Sequence, residues 1–192
     1  MLRTHTKGIR ENRGEVPRYA TPSEISSYFH EHRDRLYWLA LVITGREELA
    51  ESSFAATRKN PTRGQSVFFN WVGRWAQYAV VRSAIAAIKD DIASAAVAYQ
   101  GQSCEHGDHE GLSEIETLAL RKIGPQVIFT ELDPLARSIL ILRTLRNTTT
   151  YDCVVALGIP SATVVAANCR ALTWLRVRQI PEPALAANLA AQ

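Results

Sequence analysis

The stretch YDCVVALGIPSATVVAANCRALTWLR, residues 151–176, decides how the chain is read. An apolar helical run ends at Leu157. Gly158 stands where a tight turn is needed, and a second helix opens near Ser161 and runs through Arg176. Two helices around a three- or four-residue turn with glycine form a helix-turn-helix, whose second helix can enter the major groove of DNA. That helix opens SATVVAAN, without a charge. A good bidentate base contact discriminates by about 1–3 kcal/mol, and valine and alanine cannot make one. Thymine methyls remain as apolar partners, and Asn168 can bond a base edge. A DNA-reading face here requires Val165, Ala166 and Ala167 to face solvent. If they are buried within the chain, the pair of helices has kept the shape without the open groove.

The residues before it favour a complete unit. ELDPLARSILILRTLRN, residues 131–147, predicts a helix over 134–146, with Asp133 as N-cap and Pro134 at the first helical position. NTTT, 147–150, reads as a turn. Further upstream, Ser113 and Glu116 have capping-box spacing, and Gly124-Pro125 interrupts the helix they start. Arg137, Arg143, Arg146, Arg170, Arg176 and Arg178 are candidate phosphate contacts, which position a protein on DNA without specifying sequence.

The first half is also helical. TPSE, residues 21–24, matches a capping box with proline in the first turn. Ile25, Phe29, Leu36, Leu39, Ala40 and Ile43 follow near the helical repeat until Gly45. A second helix is expected from Arg46 to Lys59, ended by NPTRGQ, and a third from Ser66 to Lys89. The third carries FFNWVGRWAQYAVVR, residues 68–82. Trp71 and Trp75 share a face, and Arg74, Tyr78 and Arg82 form a second row at the same spacing. The tryptophans are either core or part of a basic-aromatic surface that stacks unpaired bases and neutralises phosphates.

Charge separates the halves. From Asp90 to Leu120 there are seven acidic residues and no Lys or Arg, so a segment of −7 interrupts a remainder of +10 in a chain of net +3. YQGQSCEHGDHEG, 99–111, reads as an exposed linker. Cys104, His106, Asp108 and His109 are zinc-ligand types, but their spacing is too tight for a finger and no second ligand pair lies elsewhere. Cys104, Cys153 and Cys169 do not make a disulfide framework in 192 residues, so a reducing cytoplasm is expected. The N-terminus lacks the apolar core of a secretory signal, and no run approaches a membrane span. No phosphate-cradling glycine loop or nucleophile elbow is present. Glu47, Glu48 and Glu51 complement a helix dipole, and His30 and His32 lie in the charged HEHRDR run. The expectation is an all-α chain: a basic disordered arm (1–21), a helical bundle (22–90), an acidic linker (91–114), a helix-turn-helix domain (115–178) and a tail (179–192).

Together the halves resemble the two conserved domains of bacterial RNA polymerase sigma factors of the extracytoplasmic-function group. LYWLALVITGREELAES (36–52) is similar to the opening of domain 2, WVGRWAQYAVVR (71–82) to its promoter-melting helix, and 131–176 to domain 4. The resemblance implies a cytoplasmic, non-enzymatic subunit without cofactor or metal, whose partners are core RNA polymerase, promoter DNA and an anti-sigma factor. It assigns polymerase contact to Glu48, Glu51, Ser52 and Ala55. It assigns the −10 element to Trp71, Arg74, Trp75, Tyr78 and Arg82, and the −35 element to Arg143, Ser161, Thr163, Val164, Asn168 and Arg170. The acidic linker then matches a basic channel of the polymerase.

The sequence departs from that pattern in places. Ser52, Ser53, Phe54 and Ala55 replace the usual polymerase-contact run. Tyr78 and Arg82 stand where Asn and Asp are usual, Val165, Ala166 and Ala167 replace basic and hydroxyl residues, and Pro160 occupies the capping position. These departures support a rival expectation, a sigma-like adaptor or decoy that binds an anti-sigma or other protein without reading promoters.

Overall fold

The computed structural model describes residues 18–59, 66–104, 112–145 and 148–179. They form ten α-helices: α1 (Pro22–Glu31), α2 (Arg33–Thr44), α3 (Glu47–Lys59), α4 (Val72–Ala87), α5 (Lys89–Ala96), α6 (Glu114–Lys122), α7 (Pro125–Glu131), α8 (Pro134–Thr144), α9 (Thr150–Leu157) and α10 (Ser161–Gln179). Short 3-10 turns cover Phe69–Trp71 and Val97–Tyr99. The chain is all-α among the described residues, with one isolated antiparallel bridge, Tyr19 to Phe68.

Local signals set most of the boundaries. The Thr21–Glu24 and Ser113–Glu116 capping boxes form, and Asp133 accepts from the N–H groups of Leu135 and Ala136. A third capping box, Thr149–Asp152, starts α9 inside the stretch read as a plain turn. Gly45 and Gly158 end α2 and α9 in the left-handed conformation, with φ of 64° and 66°. Ser161 is the first helical residue of α10 rather than its cap, because the Pro160 carbonyl already accepts from Val164.

Three boundaries differ from expectation. The helix expected from 22 to 44 breaks at His32, where polar His32 and Arg33 fill the turn between the apolar positions of Phe29 and Leu36. Backbone bonds from Ala20 to Val67 and from Phe69 to Arg18 hold Phe68 extended ahead of the 3-10 turn, so α4 starts at Val72. These bonds also order residues 18–20 of the expected arm. Finally, the expected linker begins helical: Ile92, Ala96 and Tyr99 are buried.

Two helices carry long stretches that are covered on every side. In α2 every residue from Leu39 to Thr44 is buried, and in α8 every residue from Leu135 to Arg143. α2 packs against α3 and α4 on one side and α7 and α8 on the other, while α5 and α10 pack on α8. The halves expected as separate bundles thus share one hydrophobic core. Arg137 locks the seam. Its Nε donates to the Ile43 carbonyl (2.8 Å) and its Nη2 to the Thr44 carbonyl (3.1 Å). These are among the terminal carbonyls that a helix leaves without internal partners. Burial lowers the Arg137 pKa, opposed by the charges of Asp133 and Asp91. Tyr78 adds a hydroxyl–hydroxyl bond of 2.9 Å to Thr148, also across the seam.

Gly45 is needed twice, for its positive φ and because a Cβ there would lie 3.1 Å from Arg137 Nη2. Gly45→Ala is expected to destabilise the fold by about 1–2 kcal/mol, the cost of a left-handed non-glycine residue, measurable by urea unfolding. At α1, side-chain bonds from Arg18, then the Thr21 backbone N–H, hold the Glu24 carboxyl down at about 2. The folded value lies below the ordinary 4.5. Its stabilisation is therefore complete above the ordinary value and is lost as pH falls toward 2. A carbon-detected NMR titration is expected to place the Glu24 midpoint near 2.

Cys104 and Cys169 form a disulfide with Cα atoms 6.1 Å apart, contrary to the expectation of thiols throughout. Composition counts cysteines; only folding brings residues 65 apart in sequence to bonding distance. Cys153 is not part of this disulfide and is buried. Of the tight Cys/His/Asp cluster, His106, Asp108 and His109 lie outside the described residues, as does Arg146.

Candidate nucleic-acid interface

The bridge that shortens α4 also builds a surface. It places Tyr19 on Phe68, with stacked rings 4.6 Å apart. Trp71, one turn on, meets Phe68 edge-on at 6.2 Å. The Arg18 guanidinium lies 4.1 Å over the Phe69 ring, and that of Arg74 lies 6.0 Å from the Trp71 ring. Trp71 is 61% exposed and Tyr19 56%, with Phe68 and Phe69 also facing solvent. Four large aromatics at one surface are unusual where each could have been buried, and such patches mark interaction sites. Flat rings beside guanidinium groups suit unpaired bases, which stack on aromatic faces while cations meet phosphate.

The expected aromatic residues divide between this surface and the core. Trp71 and Arg74 are in the patch. Trp75 turns inward, edge-on to Phe29 at 6.1 Å, and packs against the core. Tyr78 is half-buried at the seam rather than in a surface row, because its hydroxyl reaches Thr148. Arg82 is exposed two turns beyond Arg74. Tyr19, Phe69 and Arg18 were not among the expected contacts. Their signal was the Phe68-Phe69 pair before Trp71; the bridge partner, Tyr19, lay in a segment that composition alone marked as an arm.

On α3, Glu48, Glu51, Ser52 and Ala55 fall on one stripe at helical spacing. The first three are exposed and Ala55 is half-buried. Glu51 pairs with Arg33 at 3.3 Å.

In the second half, α9 and α10 turn by 109° across the break, as in a helix-turn-helix. Its reading face is largely closed. Ala167 is fully buried, Ala166 is 5% exposed, and Val165 is half-buried. Thr163, Val164 and Asn168 are buried too. Only Ser161 and Arg170 of the expected base-reading set face solvent. Arg170 lies 3.6 Å from Asp133. Arg143, expected at phosphate, is buried and donates to the Thr148 carbonyl (3.1 Å) and the Thr150 hydroxyl (2.7 Å), bracing the turn into α9. Arg137 is likewise inside. Arg176 and Arg178 pair with Glu116 and Glu131. For Arg137 and Arg143 the reason is that α8 carries its arginines on a stretch enclosed on all sides. In its place Asn168 presents a buried side-chain oxygen, Oδ1, without a hydrogen-bond partner among the described residues.

Among the described residues no single helix is long and apolar enough to cross a membrane. No family model, curated protein or solved structure matches this chain.

Proposed function

We propose that the chain is a sigma-like transcription initiation factor of the cytoplasm, a non-enzymatic subunit that binds core RNA polymerase and meets promoter DNA through the aromatic patch. The observation that carries this reading is the exposure of Trp71 beside Arg74, with Tyr19, Phe68 and Phe69 continuing the surface. Unpaired promoter bases stack on these rings, and Arg74 and Arg82 meet the backbone. The stripe Glu48, Glu51, Ser52 and Ala55 on α3 is the proposed polymerase contact. An anti-sigma factor is a further partner under this reading.

One observation favours a second reading. With Ala166 and Ala167 buried, α10 has no open reading face in this arrangement. A sigma-like adaptor or decoy, binding an anti-sigma or another protein without promoter recognition, accommodates this directly. The first reading requires the second half to open before it reads DNA.

The deciding experiment is association of the purified chain with core polymerase, followed by promoter opening on a pool of genomic fragments. Opening of specific fragments supports the initiation factor. Binding without opening indicates a polymerase-bound regulator, and no binding by folded protein removes the initiation factor and leaves the decoy. Within the first reading, Trp71→Ala is expected to weaken binding to single-stranded DNA by about 1–3 kcal/mol, roughly 5- to 150-fold, through one lost stacking platform. Its unfolding free energy should stay within about 0.5 kcal/mol, because an exposed ring contributes little to the fold. Fluorescence anisotropy and urea unfolding measure the two effects separately.

A further inference from the structure

The Cys104–Cys169 disulfide crosses from the end of the first half onto the helix whose face is closed. We infer that this pair is a reversible thiol–disulfide site, taking a dithiol reductant as substrate, and that its reduction loosens the cover over the Ala166 face of α10.

Helix geometry connects the bond to that face. Ala166, Cys169, Arg170 and Thr173 lie at i, i+3, i+4 and i+7, on one side of α10. The covalent link therefore holds residues 100–104 against the same side as Ala166. The neighbouring 3-10 turn, Val97–Tyr99, also packs on α10. Beside the buried Tyr99 ring, the ion pair at this point is an exposed one. Tyr99 donates to Asp133, and Asp133 meets an Arg170 whose side chain is more than half exposed. An ion pair so exposed holds weakly.

Accessibility fits exchange. Cys104 and Cys169 are both half-buried, so an attacking thiolate can approach, whereas Cys153 is fully enclosed. A disulfide in a reducing compartment is ordinarily transient, catalytic or redox-sensing. In this respect alone the inference rests on the cytoplasmic reading above.

The chemistry is two-electron thiol–disulfide exchange. One thiolate of the reductant attacks a sulfur of the pair and forms a mixed disulfide. The other sulfur leaves as a thiolate and takes a proton. The second thiolate of the reductant then resolves the mixed disulfide, closing the reductant into its own disulfide and leaving Cys104 and Cys169 as thiols.

The test uses the full chain, dithiothreitol as reductant, maleimide trapping read by mass spectrometry, and hydrogen exchange of the peptide amides, with no polymerase or DNA. Reduction of the folded protein is expected to expose two reactive thiols, with Cys153 unlabelled. It should also speed exchange in residues 163–172 at least tenfold. Cys104→Ser and Cys169→Ser should each show the fast pattern without reductant. The inference is overturned if Cys104 and Cys169 never join under excess glutathione disulfide, if they become reactive only together with Cys153 on unfolding, or if reduced and oxidised protein exchange alike. Wild-type protein with and without reductant decides the matter even if the variants fail to fold. Because no arm contains polymerase or DNA, failure of the transcription reading leaves this test intact.

Discussion

Cys104→Ser should lower the stability of the oxidised chain by about 4 kcal/mol. The bond joins residues 65 apart, and the chain-entropy model assigns about that much to removing the loop's freedom from the unfolded state. For a domain of this size that corresponds to a fall in Tm of roughly 10 °C. Calorimetry of oxidised wild type against the variant measures it, and wild type in reductant should match the variant. Equal melting of all three samples would show that the reduced unfolded chain retains enough structure to cancel the entropic gain. The loss should appear mainly as faster unfolding if the crossing bond is absent from the folding transition state.

Arg137→Ala should cost about 3 kcal/mol, and its effect should be felt in both halves. The guanidinium makes two buried hydrogen bonds to the carbonyls that end α2, and bonds to charged groups contribute about 1.5–3 kcal/mol each. Truncation removes the donor and leaves Ile43 and Thr44 carbonyls inside the seam. Arg137→Lys should recover less than half of the loss, because a single ammonium on a flexible stem does not reproduce the planar fork. Urea unfolding followed by two probes, tryptophan fluorescence and far-ultraviolet circular dichroism, checks both points. Wild type should unfold in one transition. Separated transitions in Arg137→Ala would identify the residue as the coupling between the halves. A loss below about 1 kcal/mol would mean that water replaces the guanidinium at the seam without penalty.

These two residues show where sequence reading stops. Arg137 was expected at phosphate because the sequence displays an arginine on an amphipathic-looking helix near a helix-turn-helix. Its burial follows from α2, more than ninety residues earlier, whose terminal carbonyls needed a donor. Arg143 has the same history: its partners, Thr148 and Thr150, lie in the turn that the sequence marked only as polar. Trp71 and Trp75, four residues apart on one helix, were indistinguishable by spacing. One faces solvent and the other faces Phe29, because the Tyr19–Phe68 bridge delays the start of α4 and leaves Trp71 in the preceding turn. Ala166 and Ala167 were equally ambiguous. Alanine fits an exposed helix face and a closely packed one alike, so residue type carried no information about which applied.

What the sequence by itself determined is what a few neighbouring residues can enforce. The all-α class, the capping boxes at Thr21 and Ser113, the cap at Asp133 and the stops at Gly45 and Gly158 involve atoms within one helical turn, and their geometry is nearly independent of the remainder of the chain. The tertiary structure alone decided that the two halves share a core, that Cys104 reaches Cys169, that an aromatic patch forms around Trp71 and that the face of α10 is closed. Each of these depends on which apolar surfaces meet across long stretches of sequence. Burial is a property of the partner as much as of the residue, and partners distant in sequence are selected only when the chain has folded.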